Sequence, residues 1–325
     1  MNRLFAITLL IACRFALVEP NLRAETPKII SLQMIWDEGE HNAFTDLIRF
    51  RDRWWVSFRE ARDHGPSIGK VRVIVSNDGR EWRSAALVNQ TGVDLRDPKL
   101  SIMPDGRLML IMGGSINDAS KYGTRAPRVA FSTDGHQWTA PRKLLAEDHW
   151  LWRVTWHKEQ AWSVSKLGEG KNPRRGMLYR SQDGLEWQWI TEFHLPNDTW
   201  NASETTLRFM PDDELIALTR PHWIGTSKPP YKDWSWTKMK ENIGGPNFIR
   251  LPDGDLWAAG RRYGEKSTTT LARLTRDSYQ PMLTLPSGGD NSYPGMVWHD
   301  GLLWMSYYSS HEGKTSIYLA KIKLK

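Results

Sequence analysis

The chain has 325 residues, 44 Lys and Arg against 37 Asp and Glu, and a net charge of +7, which falls to +5 once the three Arg and one Glu of residues 1–24 are set aside. That excess is mild and its basic residues are scattered rather than striped, which excludes a nucleic-acid surface. The single cysteine, Cys13, excludes disulfide and thiol chemistry from the rest of the chain, and past the N-terminus nothing approaches the ~20 apolar residues of a membrane span.

At the N-terminus Arg3 precedes the apolar run Leu4–Ala12, and small residues follow, the pattern of an export signal. Residues 1–24 therefore read as a signal peptide and residues 25–325 as one domain. Leu10-Ile11-Ala12-Cys13 resembles a lipoprotein box, but Arg14–Val18 is not the polar tether that lipidation usually requires. Cleavage near Ala24 and an exported protein, periplasmic or extracellular, are expected.

Six hairpins of apolar strands follow in chain order. They are Ile48–Phe58 around Arg51-Asp52-Arg53, Leu100–Met112 around Asp105-Gly106, and Val154–Val164 around Lys158-Glu159. Then come Thr206–Leu218 around Asp212-Asp213, Phe248–Ala259 around Asp253-Gly254, and Met296–Tyr307 around Asp300-Gly301. Their spacing of roughly 40–55 residues leaves room for one four-stranded sheet each. A second repeat runs at the same period: Ser-x-Asp-Gly-x-x-Trp at Ser76–Trp82, Ser132–Trp138 and Ser181–Trp187. In each copy Asp can accept local N–H groups, Gly can take positive φ, and Trp can anchor the turn between sheets. No stretch sustains helical periodicity. The prediction is an all-β, six-bladed β-propeller, with most of the 18 Trp in its core.

The hairpins also predict where the chemistry lies. Residues about six to nine positions before each turn and about seven or eight after it end ~20–25 Å away, at one mouth of the central channel. Before the turns stand Asp46, Arg96 with Asp97, Trp152 with Arg153, Glu204, Asn247 and Tyr293; after them stand Arg59 with Glu60, Gly113, Lys166, Arg220, Arg261 with Arg262, and Tyr308. Arginines converging on one mouth repel one another unless carboxylates or an anionic ligand compensate. The pattern points to an acidic substrate. His41, His149 and His311 fall near the same mouth. No metal-ligand spacing, phosphate loop or serine-nucleophile elbow is present, so neither metal nor cofactor is expected, and a monomer is expected. The aromatic-rich Pro221–Gly245, with Trp223, Tyr231, Trp234 and Trp236, reads as an insertion, either a cap packed on its blade or a wall for stacking sugar.

These features together resemble the sialidase superfamily, with its Asp-box turns. Two segments sharpen the resemblance: Ser203-Glu204 followed by Leu207–Asp212 and Leu218-Thr219-Arg220, and Asn291-Ser292-Tyr293 before Gly301–Tyr307. The resemblance implies Tyr293 as nucleophile, Glu204 as its activating partner, and Arg220 as one clamp on the carboxylate of a glycan substrate. A neutral Tyr suits an anomeric carbon that bears a carboxylate. The turns here are one residue shorter than the usual Asp box, and where an Arg normally opens the first blade this chain has Ala43-Phe44-Thr45-Asp46-Leu47. The absent clamp is sought among Arg59, Arg62 and Arg96, and the third clamp is Arg261 or Arg262, since strand alternation lets only one face the channel. Asp63 fits the family order for the acid/base, Asp46 and Asp97 fit the channel geometry, and His64 is a further proton donor or loop hydrogen-bonder. Two alternatives accompany the sialidase-like reading. One is a propeller glycosidase using two carboxylates from Asp46, Glu60, Asp97 and Glu204; the other is a non-catalytic carbohydrate-binding propeller.

Overall fold

The computed structural model describes residues 26–116, 124–168, 174–196 and 202–325; the expected signal segment, with Cys13, lies outside them. Every regular element among these residues is a strand, and the strands form six antiparallel sheets in chain order. The first is built of His41–Phe50, Arg53–Ala61, Lys70–Ser76 and Arg83–Val88. The last consists of Asn291–His299, Leu302–Ser309 and Ser316–Lys323, with Lys28–Trp36 from the other end of the domain as its outermost strand. That exchange closes the ring, so the propeller predicted from the two repeats is the fold. No helix among the described residues is long and apolar enough to cross a membrane.

All six predicted turns join the innermost strand of a blade to the next. Arg51-Asp52, Lys158-Glu159 and Asp300-Gly301 each place two successive residues at positive φ, the conformation that matches the twist of a tight hairpin. The Ser-x-Asp-Gly-x-x-Trp repeats join third strands to fourth strands. In all three the Ser Oγ accepts the Gly N–H at 2.8 Å and the Asp Oδ1 accepts the next N–H at 2.8 Å. Each repeat Gly lies against the second strand of the preceding blade: Gly79 on Trp304, Gly135 on Trp55, Gly184 on Met109. The period seen in the sequence is therefore a blade-to-blade contact repeated.

Between the blades lie six apolar clusters, five shared by two neighbours and the one between blades one and six also taking in Trp150 and Trp152 of blade three. The blade-one/blade-six joint stacks Trp54 on Trp304 at 4.0 Å, and emptying a site as buried as Trp54 would cost about 3–5 kcal/mol. Nearer the axis, polar bonds link all six blades in a ring. Asp46 accepts Leu100 N–H, Trp156 donates to Ser101, Thr155 to Leu207 O, Thr206 to Pro246 O, Asn247 to Pro294 O, and Thr45 to Tyr293 O, at 2.7–3.2 Å.

Four innermost strands carry a bulge, at Ala43–Asp46, Arg96–Lys99, Gly244–Asn247 and Ser292–Gly295. Each bulge holds a residue at positive φ: Phe44 (64°), Asp97 (49°), Gly245 (56°) and Tyr293 (52°). A bulge re-aims the side chain it carries, and here it turns Phe44, Asp97 and Tyr293 into one cleft. In blade three the innermost strand is interrupted instead, between His149–Leu151 and Thr155–His157, and Trp152 at the break lines the same cleft.

Candidate active site

At the floor of the cleft Tyr293 Oη donates to Glu204 Oε1 at 2.6 Å. The same oxygen accepts Arg220 Nη1 at 2.9 Å, and Oε2 accepts the Gly245 N–H at 2.6 Å. Only glycine serves at position 245, because φ there is +56° and a Cβ would come within 2.6 Å of the Tyr293 ring. Burial opposes ionisation of Glu204, but the Arg220 charge, the Tyr293 hydroxyl and the Gly245 N–H together hold its carboxyl below the usual range. Tyr293 is pushed well above an ordinary phenol, first by burial and then by the Glu204 charge. At rest the pair is thus a carboxylate facing a neutral phenol. Such a carboxylate can take the phenolic proton as the oxygen attacks an electrophile.

The cleft above has a cavity volume of about 260 Å³ and is open to solvent. Its lining carries the cations Arg96, Arg125, Lys166, Arg174 and Arg220 against the carboxyl groups Asp97 and Glu204, the balance of a site for an anion. Asp97 is partly buried on the floor; burial raises its pKa, against the charges of Lys99 and Arg96. Lys99 is buried beneath it, with Nζ 4.7 Å from the Trp152 ring and 5.9 Å from that of Tyr293. Burial brings the Lys99 ammonium down to about 8.

The residues predicted for the mouth divide into those on the cleft and those behind it. Arg96, Asp97, His64, Glu204, Arg220 and Tyr293 line the cleft, with Trp152 and Lys166. Arg261 lies beside them, its guanidinium 5.5 Å from the Tyr293 ring, donating to Asp290 Oδ1 at 3.0 Å and Tyr308 Oη at 2.7 Å. Its neighbour Arg262 faces the other way, paired with Glu241 at 2.7 Å, so alternation selects Arg261.

Several expectations meet a different arrangement. Asp46 is wholly buried and saturated: Arg153 Nη1 donates to its oxygens at 2.7 and 2.8 Å, and Leu100 N–H donates at 2.8 Å. It joins blades rather than facing substrate. Arg59 is 0% exposed and spends its donors on Asp94 and on the carbonyls of Asp63 and Ser67; it holds a loop and does not replace the absent first-blade clamp. Arg62 and Asp63 pair with each other at 3.0 Å with side chains 73% and 44% exposed, off the cleft. Glu60 binds Arg72 and the Trp36 indole on the outer side of its blade. The stretch read as an insertion is no insertion: Trp223–Ser227 and Ser235–Lys238 are the outer strands of blade four. Tyr231 is buried, and Trp234 and Trp236, stacked on each other, meet the Phe193 ring of blade three at steep angles. The aromatic residues that line the cleft besides Tyr293 and His64 are instead Phe44, Trp150 and Trp152. His149 bonds Ser165 and His311 bonds Ser309.

Phe44, Lys99 and Asp290 escaped the sequence reading as site residues. One signal was present, in that Pro98, Pro246 and Pro294 stand at matching places before their hairpin turns, each directly after a bulge residue. Asp290 gave none, because its partners are remote in sequence.

No protein-family model matches the chain, and no curated protein matches it. Among solved structures it is similar to a protein of unknown function from Dyadobacter fermentans DSM 18053, at 18% identity and TM-score 0.82, covering 92% of this chain and 100% of that one. It is similar to Trypanosoma rangeli sialidase at 12% identity and TM-score 0.67, covering 87% of this chain and 55% of that one. It is also similar to an α-L-arabinofuranosidase from Fusarium graminearum at 15% identity and TM-score 0.72, covering 91% and 98%. The chain thus spans about half the length of the sialidase chain and nearly all of the other two. What these similarities have in common with the strand order above is the architecture: a six-bladed, sialidase-like β-propeller.

Proposed function

We propose that this protein is an exported, retaining exo-glycosidase that releases a terminal acidic sugar, a sialic acid or a related keto-acid sugar. The observation that carries the reading is the Tyr293–Glu204 hydrogen bond of 2.6 Å at the floor of a cation-walled cleft. In this reading Arg220 and Arg261 fork the substrate carboxylate, which sets the anomeric carbon over Tyr293 Oη. As that oxygen attacks, its proton passes to Glu204; the neutral phenol avoids the repulsion that a carboxylate nucleophile would meet beside the substrate's own charge. Asp97, whose pKa is raised by burial against the charges of Lys99 and Arg96, lies on the cleft where it can hydrogen-bond a glycone hydroxyl. The sialidase-type propeller supports the class of chemistry by analogy of fold.

The test is hydrolysis of an aryl α-sialoside by the purified protein and by Tyr293→Phe. Turnover by the wild type and none by the variant is expected; equal rates would remove Tyr293 from its role. A second reading, catalysis by a carboxylate pair, is favoured by Asp97 and Glu204 sharing the floor of the cleft. It predicts that Tyr293→Phe keeps its activity and that Asp97→Asn and Glu204→Gln each abolish it, on a neutral glycoside.

A further inference from the structure

The reading above gives a nucleophile and a clamp but leaves open what protonates the departing glycosidic oxygen. A general acid/base must reach the leaving-group side, where the aglycone departs and water enters. Of the carboxylates considered, Asp46 is saturated between blades, Asp63 points off the cleft, and Asp97 sits on the floor with the nucleophile.

We infer that His64 is the acid/base of this site, oriented by Asp290; the inference rests on the glycosidase reading. His64 lines the cleft from the rim loop after the second strand of blade one, with its side chain 48% exposed. Phe44 stands between it and the nucleophile, its ring 5.2 Å from His64 and 5.1 Å from Tyr293. The imidazole is held as catalytic imidazoles are held. His64 Nδ1 lies 2.6 Å from Asp290 Oδ2, and the same oxygen lies 2.9 Å from His41 Nε2. The other oxygen accepts Arg261 Nη2 at 3.0 Å and Tyr308 Oη at 2.9 Å. A carboxylate so bound fixes the tautomer and the ring plane and steadies the imidazolium. The backbone is fixed as well, because the His64 carbonyl accepts both terminal nitrogens of Arg96 at 3.1 Å.

The same cluster could be taken for a metal centre, since His41, His64 and Asp290 each bring one ligand atom within 4.8 Å of the others. The spacing argues otherwise: ligands sharing a tetrahedral zinc at their usual bond lengths lie ~3.3 Å apart, whereas these contacts of 2.6 and 2.9 Å are hydrogen bonds. Arg261 on the same carboxylate would also oppose a second cation.

The proton balance closes over two steps. In the first, Nε2–H of the His64 imidazolium gives its proton to the glycosidic oxygen as the C–O bond breaks toward that oxygen, while Tyr293 Oη bonds the anomeric carbon and passes its proton to Glu204. In the second, water attacks the anomeric carbon and gives a proton to His64 Nε2, and the C–O bond to Tyr293 breaks with its electron pair recovered by the tyrosine oxygen, reprotonated by Glu204.

The experiment compares His64→Gln, Asp290→Asn and Tyr293→Phe on two glycosides of one acidic sugar, a 2,4-dinitrophenyl glycoside that departs unaided and an alkyl glycoside that needs a proton. Melting curves verify folding. For His64→Gln we expect at least ~100-fold loss of kcat/KM on the alkyl glycoside, less than ~10-fold on the dinitrophenyl one, and acceleration of the latter by azide with glycosyl azide as product. Asp290→Asn should show the same selectivity, weaker. Equal losses on both glycosides, no loss on either, a leaving-group-selective loss in Asp97→Asn instead, or one equivalent of zinc in the wild type that His64→Gln lacks would each overturn the proposal. Tyr293→Phe losing neither substrate rejects the nucleophile while leaving the His64 result readable; no turnover of either glycoside by the wild type rejects the underlying reading, and His64's role with it.

Discussion

Replacing Arg220 tests the electrostatics at the floor of the site. Glu204 has three partners, Arg220 at 2.9 Å, Tyr293 at 2.6 Å and the Gly245 N–H at 2.6 Å, and Arg220 is the strongest influence opposing burial of its charge. Arg220→Met removes the cation and leaves the two hydrogen bonds, so the Glu204 carboxyl rises, the effect of losing one opposite charge at contact distance. Because Glu204 must be ionised to take the phenolic proton, the acid limb of the kcat/KM profile moves upward with it. At pH values below both limbs this lowers the rate ~10–100-fold, in addition to a pH-independent loss from the missing clamp. Arg220→Lys keeps a charge but loses the planar fork, so its limb stays near the wild-type position while the plateau falls at least ~10-fold. The assay is a pH profile of kcat/KM for an aryl α-sialoside with each protein. An Arg220→Met profile with unshifted limb and unchanged plateau would refute the assignment of Arg220 and of Glu204 as base.

Three further outcomes follow from the same geometry. Gly106 and Gly135 share a φ of +80°, but a Cβ meets nothing within 4 Å at Gly106 and lies 2.4 Å from the Trp55 ring at Gly135; urea denaturation should show Gly106→Ala costing about 1 kcal/mol and Gly135→Ala about 2–4 kcal/mol, and equal costs would contradict the blade-to-blade role of the repeat glycine. Arg153→Met strips buried Asp46 of its cation and should cost about 3–5 kcal/mol, part of it recovered when Asp46→Asn is added; a loss under 1 kcal/mol would show that the pair is not a joint. Arg261→Ala should lower kcat/KM at least ~10-fold while Arg262→Ala leaves it within ~2-fold, and the reverse ranking would place the wrong arginine beside the substrate.

The sequence carried the fold because the information was local and repeated. Each hairpin turn announces itself through residues that tolerate positive φ, as at Asp300-Gly301, and each Ser-x-Asp-Gly satisfies its own N–H groups, as at Ser132–Gly135. The lining of the candidate site was legible where one residue sits at a strand end facing the axis, as Glu204, Arg220 and Tyr293 do. It failed where a long-range partner decides the outcome. Asp46 looks like a channel carboxylate until Arg153, 107 positions away, saturates it. Arg59 looks like a clamp until Asp94 and the loop carbonyls absorb its donors. His64 acquires its orientation from Asp290, 226 positions away, which no local pattern reveals. The loop that Arg59 holds aims Asp63 at Arg62 and places His64 on the cleft.

The measurement that bears most directly on the central claim is mass spectrometry of the protein after incubation with a 2,3-difluoro sialic acid or its keto-deoxy analogue, compounds of the kind bound by Trypanosoma rangeli sialidase. The fluorine at C3 slows both formation and breakdown of a glycosyl-enzyme, while fluoride at C2 is a good leaving group that keeps formation the faster step, so the intermediate accumulates where a nucleophile exists. The account predicts a mass increase of one fluorosugar, located on the peptide containing Tyr293 and absent in Tyr293→Phe. An adduct on Asp97 or Glu204, or an unmodified protein that nonetheless hydrolyses acidic glycosides with inversion, would contradict it.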